Sequence, residues 1–327
     1  MKKALRVAGL VLAIVLVAVI GFVAYYFLHY PAVDGPAQLT IDRTPARIER
    51  GRYLVNHVSI CIDCHSVRNL ELFAAPVMKG TEGKGGQRFG QEEGLPGTLY
   101  ASNITPAGIG HYSDGELFRA ITSGVKKDNT VLFPLMPYTH FTKMTDEDLY
   151  SIIAYVRTLK PIENTVEKST VDFPVSMFIR AVPQKHVPVS EPDRKNKLEY
   201  GRYLVNAALC AACHTPTEKG EPKPGMEFAG GNVFDTQVGI IRTANITPDE
   251  ETGIGRWTED DFVGRFKYYA KEEAQSLDPK KVGYYTAMPW TMYAGMTEED
   301  LRAIFTYLRS IPPVKNAVVK FEPVAAK

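Results

Sequence analysis

Surplus charge is the first thing this chain lacks. Lysine and arginine number 38 against 37 aspartates and glutamates, a formal net charge of +1. Such a balance advertises no polyanion, so nucleic acid is excluded as a partner. Lys2, Lys3 and Arg6 precede every acid, and without them 35 basic residues face 37 acidic ones. Long-range steering by net charge is therefore weak, although a local patch can still act. No stretch reads as an extensive sheet, and an all-α fold is expected. Cysteine is scarce too, with four in 327 residues, and no strand-helix-strand setting surrounds them to suggest a thioredoxin-like dithiol. At 45% hydrophobic and 23% charged residues the chain is otherwise an ordinary globular one, long enough for two or three domains.

All four cysteines fall in two identical patterns, Cys61-Ile-Asp-Cys64-His65 and Cys210-Ala-Ala-Cys213-His214. C-x-x-C-H is the attachment pattern of c-type haem. Cysteines three apart share one face of a helical turn, so both sulfurs reach the vinyl groups of one porphyrin. The adjacent histidine then lies beneath the ring as the proximal iron ligand. A structural zinc site would need both pairs close together and has no use for a histidine after each. Two covalently bound haem c groups are therefore expected, and their maturation points outside the cytoplasm.

Only one apolar run is long. Val7 to Leu28 is free of charge, enough to span a bilayer at about 1.5 Å per residue. Lys2, Lys3 and Arg6 keep its start cytoplasmic, and Tyr25, Tyr26 and Tyr30 form an aromatic belt at its far end. A signal peptide has an apolar core of about 7–15 residues before a small-residue cleavage site. This run is longer and ends in bulky aromatics, so residues 1–30 read as an uncleaved single-pass anchor in the cell inner membrane. Residues 31–46, with Pro31, Pro36 and Pro45, read as a polar tether.

Beyond it one unit occurs twice. Gly51-Arg-Tyr-Leu-Val-Asn56 recurs as Gly201 to Asn206, Asn103-Ile-Thr-Pro106 as Asn245 to Pro248, and Gly108-Ile-Gly110 as Gly253 to Gly255. Met136-Pro-Tyr138 recurs as Met288-Pro-Trp290, and Met144-Thr145 as Met296-Thr297. The landmarks keep their order, as in a duplicated domain: residues 47–160 and 198–316, joined by a linker at 161–197 and followed by a tail at 317–327. In each copy a first helix runs into the cysteine motif, from about Ile48 or Lys197. A second starts at Ser113 or Thr258, and a closing helix is capped by Thr145 or Thr297. Pro161, Pro312 and Pro313 end the closing helices. Within the linker, Phe173 to Val182 is unexpectedly apolar but too short to cross a membrane. It is expected to pack across the interface between the domains, with docking of a partner as the alternative.

Methionine commonly faces histidine across a c-type haem and favours the reduced iron. Met144 and Met296 precede capping threonines, the staple position that packs onto Leu149 and Leu301. Met136 and Met288, in proline-flanked loops, are therefore assigned as axial ligands, with His65 and His214 opposite. His140, which aligns with Met292, is the rival. His57 and His111 have no counterpart in the other copy, and His29 and His186 show no role. Pro76 and Pro224 are placed to accept from the ligand histidines' second nitrogen. Asn103, Thr105, Asn245 and Thr247 suit haem propionates, as do Tyr112 and Trp257, with turn chemistry and capping as the plain alternative.

Taken together, G-R-Y-L-V, C-x-x-C-H, N-I-T-P, G-I-G-x-aromatic, M-P-aromatic and T-x-E-D-L resemble tandem class I cytochrome c domains. The resemblance is to the multihaem cytochrome subunits of membrane-bound periplasmic alcohol and gluconate dehydrogenases, from about Ile48 to Asn316. It implies His65 with Met136 and His214 with Met288 as iron ligands. This chain has two attachment motifs where those subunits commonly have three, and its anchor is N-terminal. The expected role is electron relay rather than catalysis. A periplasmic dehydrogenase or quinol-oxidising complex would be the donor, and an oxidase or soluble cytochrome the acceptor. A dihaem peroxidase or thiosulfate-oxidising enzyme would need an unusual ligand such as His140. A sensor would need a signalling domain, and none is evident.

Overall fold

A computed structural model describes residues 1–218, 220–236 and 239–323. Lys2–His29 forms one continuous helix of 28 residues, about 42 Å long at 1.5 Å per residue. Only Tyr26, near its exit, is buried. The helix is long and apolar enough to cross a membrane.

The tether is laid on the protein rather than left free. Ile41 is 5% exposed, and its N–H donates to Asp114 Oδ2 at 3.0 Å. The carbonyl of Ala37 occupies the space a side chain on Gly115 would need. Pro45, read from sequence as a breaker, opens the next helix instead. It occupies the first turn of Pro45–Tyr53, behind a Thr44 cap, where its missing N–H costs nothing.

Each copy is then built alike. The first helix is Pro45–Tyr53, continued by a wider turn at Leu54–Val58, or Lys197–Ala207. It breaks at a single left-handed residue, Ile60 (φ 44°) or Leu209 (φ 58°), before the cysteine turn at Cys61–Cys64 or Cys210–His214. A β-branched residue is strained there. The second helix, Asp114–Ser123 or Glu259–Lys267, starts at a reciprocal capping box, Ser113 with Glu116 or Thr258 with Asp261. The closing helix, Asp146–Val156 or Glu298–Ser310, is capped by Thr145 or Thr297 as expected. Leu149, Ile152, Ile153 and Val156 of the one, and Leu301, Ile304, Phe305 and Leu308 of the other, are buried.

First and closing helices cross at the glycine of G-R-Y. A β-carbon on Gly51 would stand 1.8 Å from the Ser151 carbonyl oxygen, and one on Gly201 would stand 2.0 Å from that of Ala303. Only glycine permits backbones this close.

The expectation of an all-α fold needs correction. The chain is mostly helical, but the described residues include three small antiparallel sheets. Gly97–Tyr100 pairs with Arg88–Phe89 and with Thr170–Val171 from the linker. Gly239–Arg242 pairs with Val233–Thr236 and with Phe321–Pro323, in what sequence reading made a tail. Thr217–Glu218 and Glu221–Pro222 form a hairpin. The strands are two to four residues long, too short for a period-2 pattern to register. The rest of the expected tail, 324–327, lies outside the described residues.

The halves share one core, which runs from Leu54 and Leu149 to Leu204 and Leu301. Their seam is reciprocal. Tyr53 Oη donates to Asp300 Oδ2 at 2.6 Å and accepts from the Thr297 N–H at 3.0 Å. Tyr203 Oη donates to Asp148 Oδ2 at 2.5 Å and accepts from the Thr145 N–H at 3.4 Å. The tyrosine of each G-R-Y thus caps the closing helix of the other half, as in an isologous contact. Arg50 adds a bidentate pair to Asp148 at 2.7 and 2.8 Å. The Tyr200 hydroxyl, at the equivalent place in the second copy, is buried without a partner among the described residues.

His57 and His140 lie on the same seam. His57 Nδ1 donates to the Met292 carbonyl at 3.0 Å. His140 Nδ1 donates to Asn206 Oδ1 at 3.3 Å, and Asn206 Nδ2 donates to the His140 carbonyl at 3.0 Å. Burial is the largest influence on both rings and pushes both pKa values below the ordinary range.

Three outcomes are expected. Gly201→Ala destabilises by about 1–3 kcal/mol or more through overpacking, read by denaturant titration. Gly264→Ala, a helical glycine with nothing within 4 Å, is neutral or stabilising. For the histidines, the unfolded chain takes up protons below about pH 6.5 while the seam rings resist them. Stability is therefore full above that pH and falls as pH drops below it. A His57→Gln, His140→Gln double variant has a flatter profile of melting temperature against pH.

Candidate functional site: two haem-attachment turns

In each half the C-x-x-C-H turn hangs from the broken end of the first helix. Cys61 and Cys210 are half-buried, Cys64 and Cys213 exposed, and none of the four is in a disulfide. Burial pushes the Cys61 and Cys210 thiols up to about 12, so both are protonated at neutral pH rather than poised as redox thiolates. Among the described residues, no three His, Cys, Asp or Glu side chains gather as a metal cluster.

The histidines of the two C-x-x-C-H turns are oriented by the N-I-T-P loop. His65 Nδ1 donates to the Ser102 carbonyl at 2.7 Å, and His214 Nδ1 donates to the Ala244 carbonyl at 2.7 Å. A carbonyl can only accept, so Nδ1 carries the proton and Nε2 keeps its lone pair. Burial holds both rings below the usual histidine pKa, which favours this neutral form. The acceptors are therefore not those expected. The Pro76 carbonyl instead takes the Asn69 N–H at 2.9 Å, and the carbonyls facing the two histidines belong to Ser102 and Ala244.

Asn103 and Thr105 hold that carbonyl in place. Asn103 Oδ1 accepts from the Thr105 N–H at 2.9 Å and the Thr105 hydroxyl at 2.7 Å. Asn103 Nδ2 donates to the Ile162 carbonyl at 2.8 Å, and the Ile162 N–H returns a bond to Thr105 Oγ1 at 3.2 Å. Asn245 and Thr247 repeat this around Val314, at 2.7 Å for Nδ2 to the carbonyl and 3.1 Å for the returned N–H. Asn245 spends its other amide hydrogen on Thr252 Oγ1 at 3.0 Å. Thr105 and Thr247 are fully buried. These four side chains, expected at haem propionates, are thus committed to the backbone. Through the loop they position the histidines.

Two further pairs escaped the sequence reading. Gly85 (φ 72°) donates its N–H to the His65 carbonyl at 2.8 Å, and Gly230 (φ 72°) does the same for His214 at 2.7 Å. A β-carbon there would stand 2.5 Å from Ser102 C or 2.4 Å from Ala244 C. Asn164 Nδ2 donates to the Lys84 and Gly85 carbonyls, and Asn316 Nδ2 to those of Ala229 and Gly230. The repeats Gly85-Gly86 with Gly230-Gly231, and Pro161-x-x-Asn164 with Pro313-x-x-Asn316, carried that signal.

Met136 and Met288 lie half-buried in loops just before short helices, Tyr138–Phe141 and Trp290–Tyr293. Met144 and Met296 are 0% and 1% exposed and fill the core, as their staple position implied. Met292 is buried and His140 sits on the seam. Tyr112 is half-buried at the start of the second helix, and Trp257, its counterpart, is 38% exposed. His29 and His111 are exposed. His186, without an evident role in sequence, bonds Asp146 Oδ1 through Nε2 at 2.8 Å and the Thr142 carbonyl through Nδ1 at 3.0 Å, tying linker to closing helix.

The donor set fits haem c: two thiols, a neutral histidine whose Nε2 keeps its lone pair, and a thioether in a loop. An orphaned polar atom points the same way. The Tyr138 hydroxyl, two residues after Met136, is buried with no partner among the described residues, as a group awaiting a ligand would be. Tyr293, whose hydroxyl donates to the Ala208 carbonyl at 2.6 Å, has its phenol raised first by burial and then by Cys210, Cys213, Asp63 and Cys64.

Residues 198–312 match the model of the family described as cytochrome c. The chain carries a cytochrome c domain. It is 30% identical, over 84% of its length, to the cytochrome c subunit of a quinone alcohol dehydrogenase from Gluconacetobacter polyoxogenes, and covers 58% of that protein. It is 29% identical, over 81%, to the gluconate 2-dehydrogenase cytochrome c subunit of Pantoea cypripedii, covering 60% of it. A diheme cytochrome c-type protein of Cereibacter sphaeroides is 25% identical over 78% of the chain, which covers 83% of it. The chain thus spans somewhat over half the length of the dehydrogenase subunits it matches. The first two of these relatives are named as cytochrome c subunits of dehydrogenases.

Asn245→Ala removes the clamp on the His214 acceptor and leaves buried partners unpaired. It is expected to cost about 1–3 kcal/mol in thermal unfolding. It also alters the magnetic resonance signature of that histidine while haem stoichiometry stays unchanged.

Proposed function

We propose that the chain is a membrane-anchored dihaem cytochrome c built from two tandem class I cytochrome c domains. It relays electrons from a periplasmic dehydrogenase or quinol-oxidising complex to an oxidase or a soluble cytochrome. The observation that carries this is the doubled one. In both halves the C-x-x-C-H histidine gives Nδ1–H to a clamped loop carbonyl and keeps Nε2 free for iron.

Cys61 and Cys64, and Cys210 and Cys213, would hold the two porphyrins by thioethers. His65 with Met136, and His214 with Met288, would take the two faces of each iron. Haem c so held supplies reversible one-electron exchange, with methionine favouring the reduced state. With both faces occupied, no position is left for a substrate. Tyr112 and Trp257 remain near-haem candidates, and the orphaned Tyr138 hydroxyl joins them as a propionate donor. The seam bond to Asn206 accounts for His140, the one feature that had invited an enzymatic reading.

Lys2–His29 would anchor the protein in the inner membrane. Lys2, Lys3 and Arg6 favour a cytoplasmic N-terminus, and the haem domains would then be periplasmic. Similarity to dehydrogenase cytochrome subunits supports a dehydrogenase as partner.

Intact mass spectrometry of the mature, denatured protein is expected to show two haems per chain; fewer sinks the reading. Met136→Ala and Met288→Ala should each abolish one methionine–iron charge-transfer signal and lower the potential of one haem, leaving the haem count intact. Loss of that signal in His140→Ala instead would overturn the ligand assignment.

A further inference from the structure

The linker segment Phe173 to Val182 does not lie across the seam, where sequence reading placed it. It lies against the exit of the N-terminal helix. Tyr26 Oη donates to the Met177 carbonyl at 2.9 Å. Arg180 Nη2 donates to the Tyr30 carbonyl at 2.5 Å, and its guanidinium sits over the Phe27 ring at 5.2 Å. Lys185 pairs with Asp34 at 2.7 Å. Tyr26 stands three residues from the helix end, about 4.5 Å along its axis. Met177 is therefore level with the last turn of the apolar span.

We propose that this segment is a second membrane contact, seated in the phospholipid headgroup layer beside the span. The proposal rests on the reading of Lys2–His29 as a bilayer-crossing helix. Phe173 is 82% exposed and Phe178 57% exposed. Among the ten residues from 173 to 182 the only charge is Arg180. Two outward aromatics on a nearly uncharged segment are costly in water but match the interface, where amphipathic rings settle. Their surface continues that of the helix, whose side chains from Val7 to Tyr25 are exposed. An occupant that covers one therefore covers the other, and phospholipid is the medium that does so. Arg180 and Lys185 add the cations that suit a phosphate-rich layer.

The segment is also fixed to the N-terminal half. Thr170–Val171 joins the sheet of Gly97–Tyr100, and His186 is bonded to Asp146. Together with the packed tether, this holds the N-terminal haem site close to the bilayer in one orientation.

Site-specific photocrosslinking in native membranes tests this with the full-length, haem-loaded chain. Benzoylphenylalanine replaces Phe173 or Phe178 in turn, with Val17 in the span and Val233 on the second half's sheet as references. Intact mass should show phospholipid adducts at 173, 178 and 17, about tenfold above those at 233. Lipid adducts at 17 but not at 173 or 178 overturn the proposal, and so do protein adducts at 173 and 178 in place of lipid. Absence of lipid adducts at 17 overturns the membrane-span reading, and the proposal falls with it.

Discussion

Everything in each half hangs from one backbone contact, the crossing of the first helix over the closing helix at Gly51 or Gly201. Because the cysteine turn is suspended from the end of the first helix, the crossing fixes where both sulfurs and the histidine can be. The same crossing brings the segment after the closing helix alongside the N-I-T-P loop. There Ile162 and Val314 meet the Asn–Thr pairs, and the loop carbonyls meet the imidazoles. The ligand geometry is thus set by main-chain atoms on three segments far apart in sequence.

Polar residues around such a site invite assignment to the cofactor, and here several belong to the scaffold. Asn103, Thr105, Asn245 and Thr247 are buried and bonded to backbone. Their part in the chemistry is indirect, through the tautomer and aim of His65 and His214. The attachment turn itself is strained at Ile60, where a β-branched residue adopts a left-handed conformation. Burial of Ile60 in the core holds it there.

What was legible in the sequence had either a fixed local pattern or a repeat. The cysteine turns, the threonine caps, the apolar stripes and the 22-residue span each satisfy a spacing rule within a few turns of chain. The staple role of Met144 and Met296 followed from their place before the caps. Features that depend on tertiary partners were not legible. The acceptors Ser102 and Ala244 contribute only main-chain carbonyls, which leave no mark on side-chain choice. The short strands at Thr170–Val171 and Phe321–Pro323 exist because a loop edge is available, not because those residues alternate. The linker's apolar stretch was conspicuous, but its partner was the distant helix exit at Tyr26 and Tyr30.

The reciprocal seam has a consequence for how such a chain can change through time. Each tyrosine of G-R-Y serves a carboxylate in the opposite copy, Tyr53 with Asp300 and Tyr203 with Asp148. The two halves are therefore not independent modules. A recombination that grafts one half onto a foreign mate exchanges only one member of each couple and strands the other. Inheritance of the halves as a single block follows, and compensating changes should track across the chain's midpoint rather than within either copy.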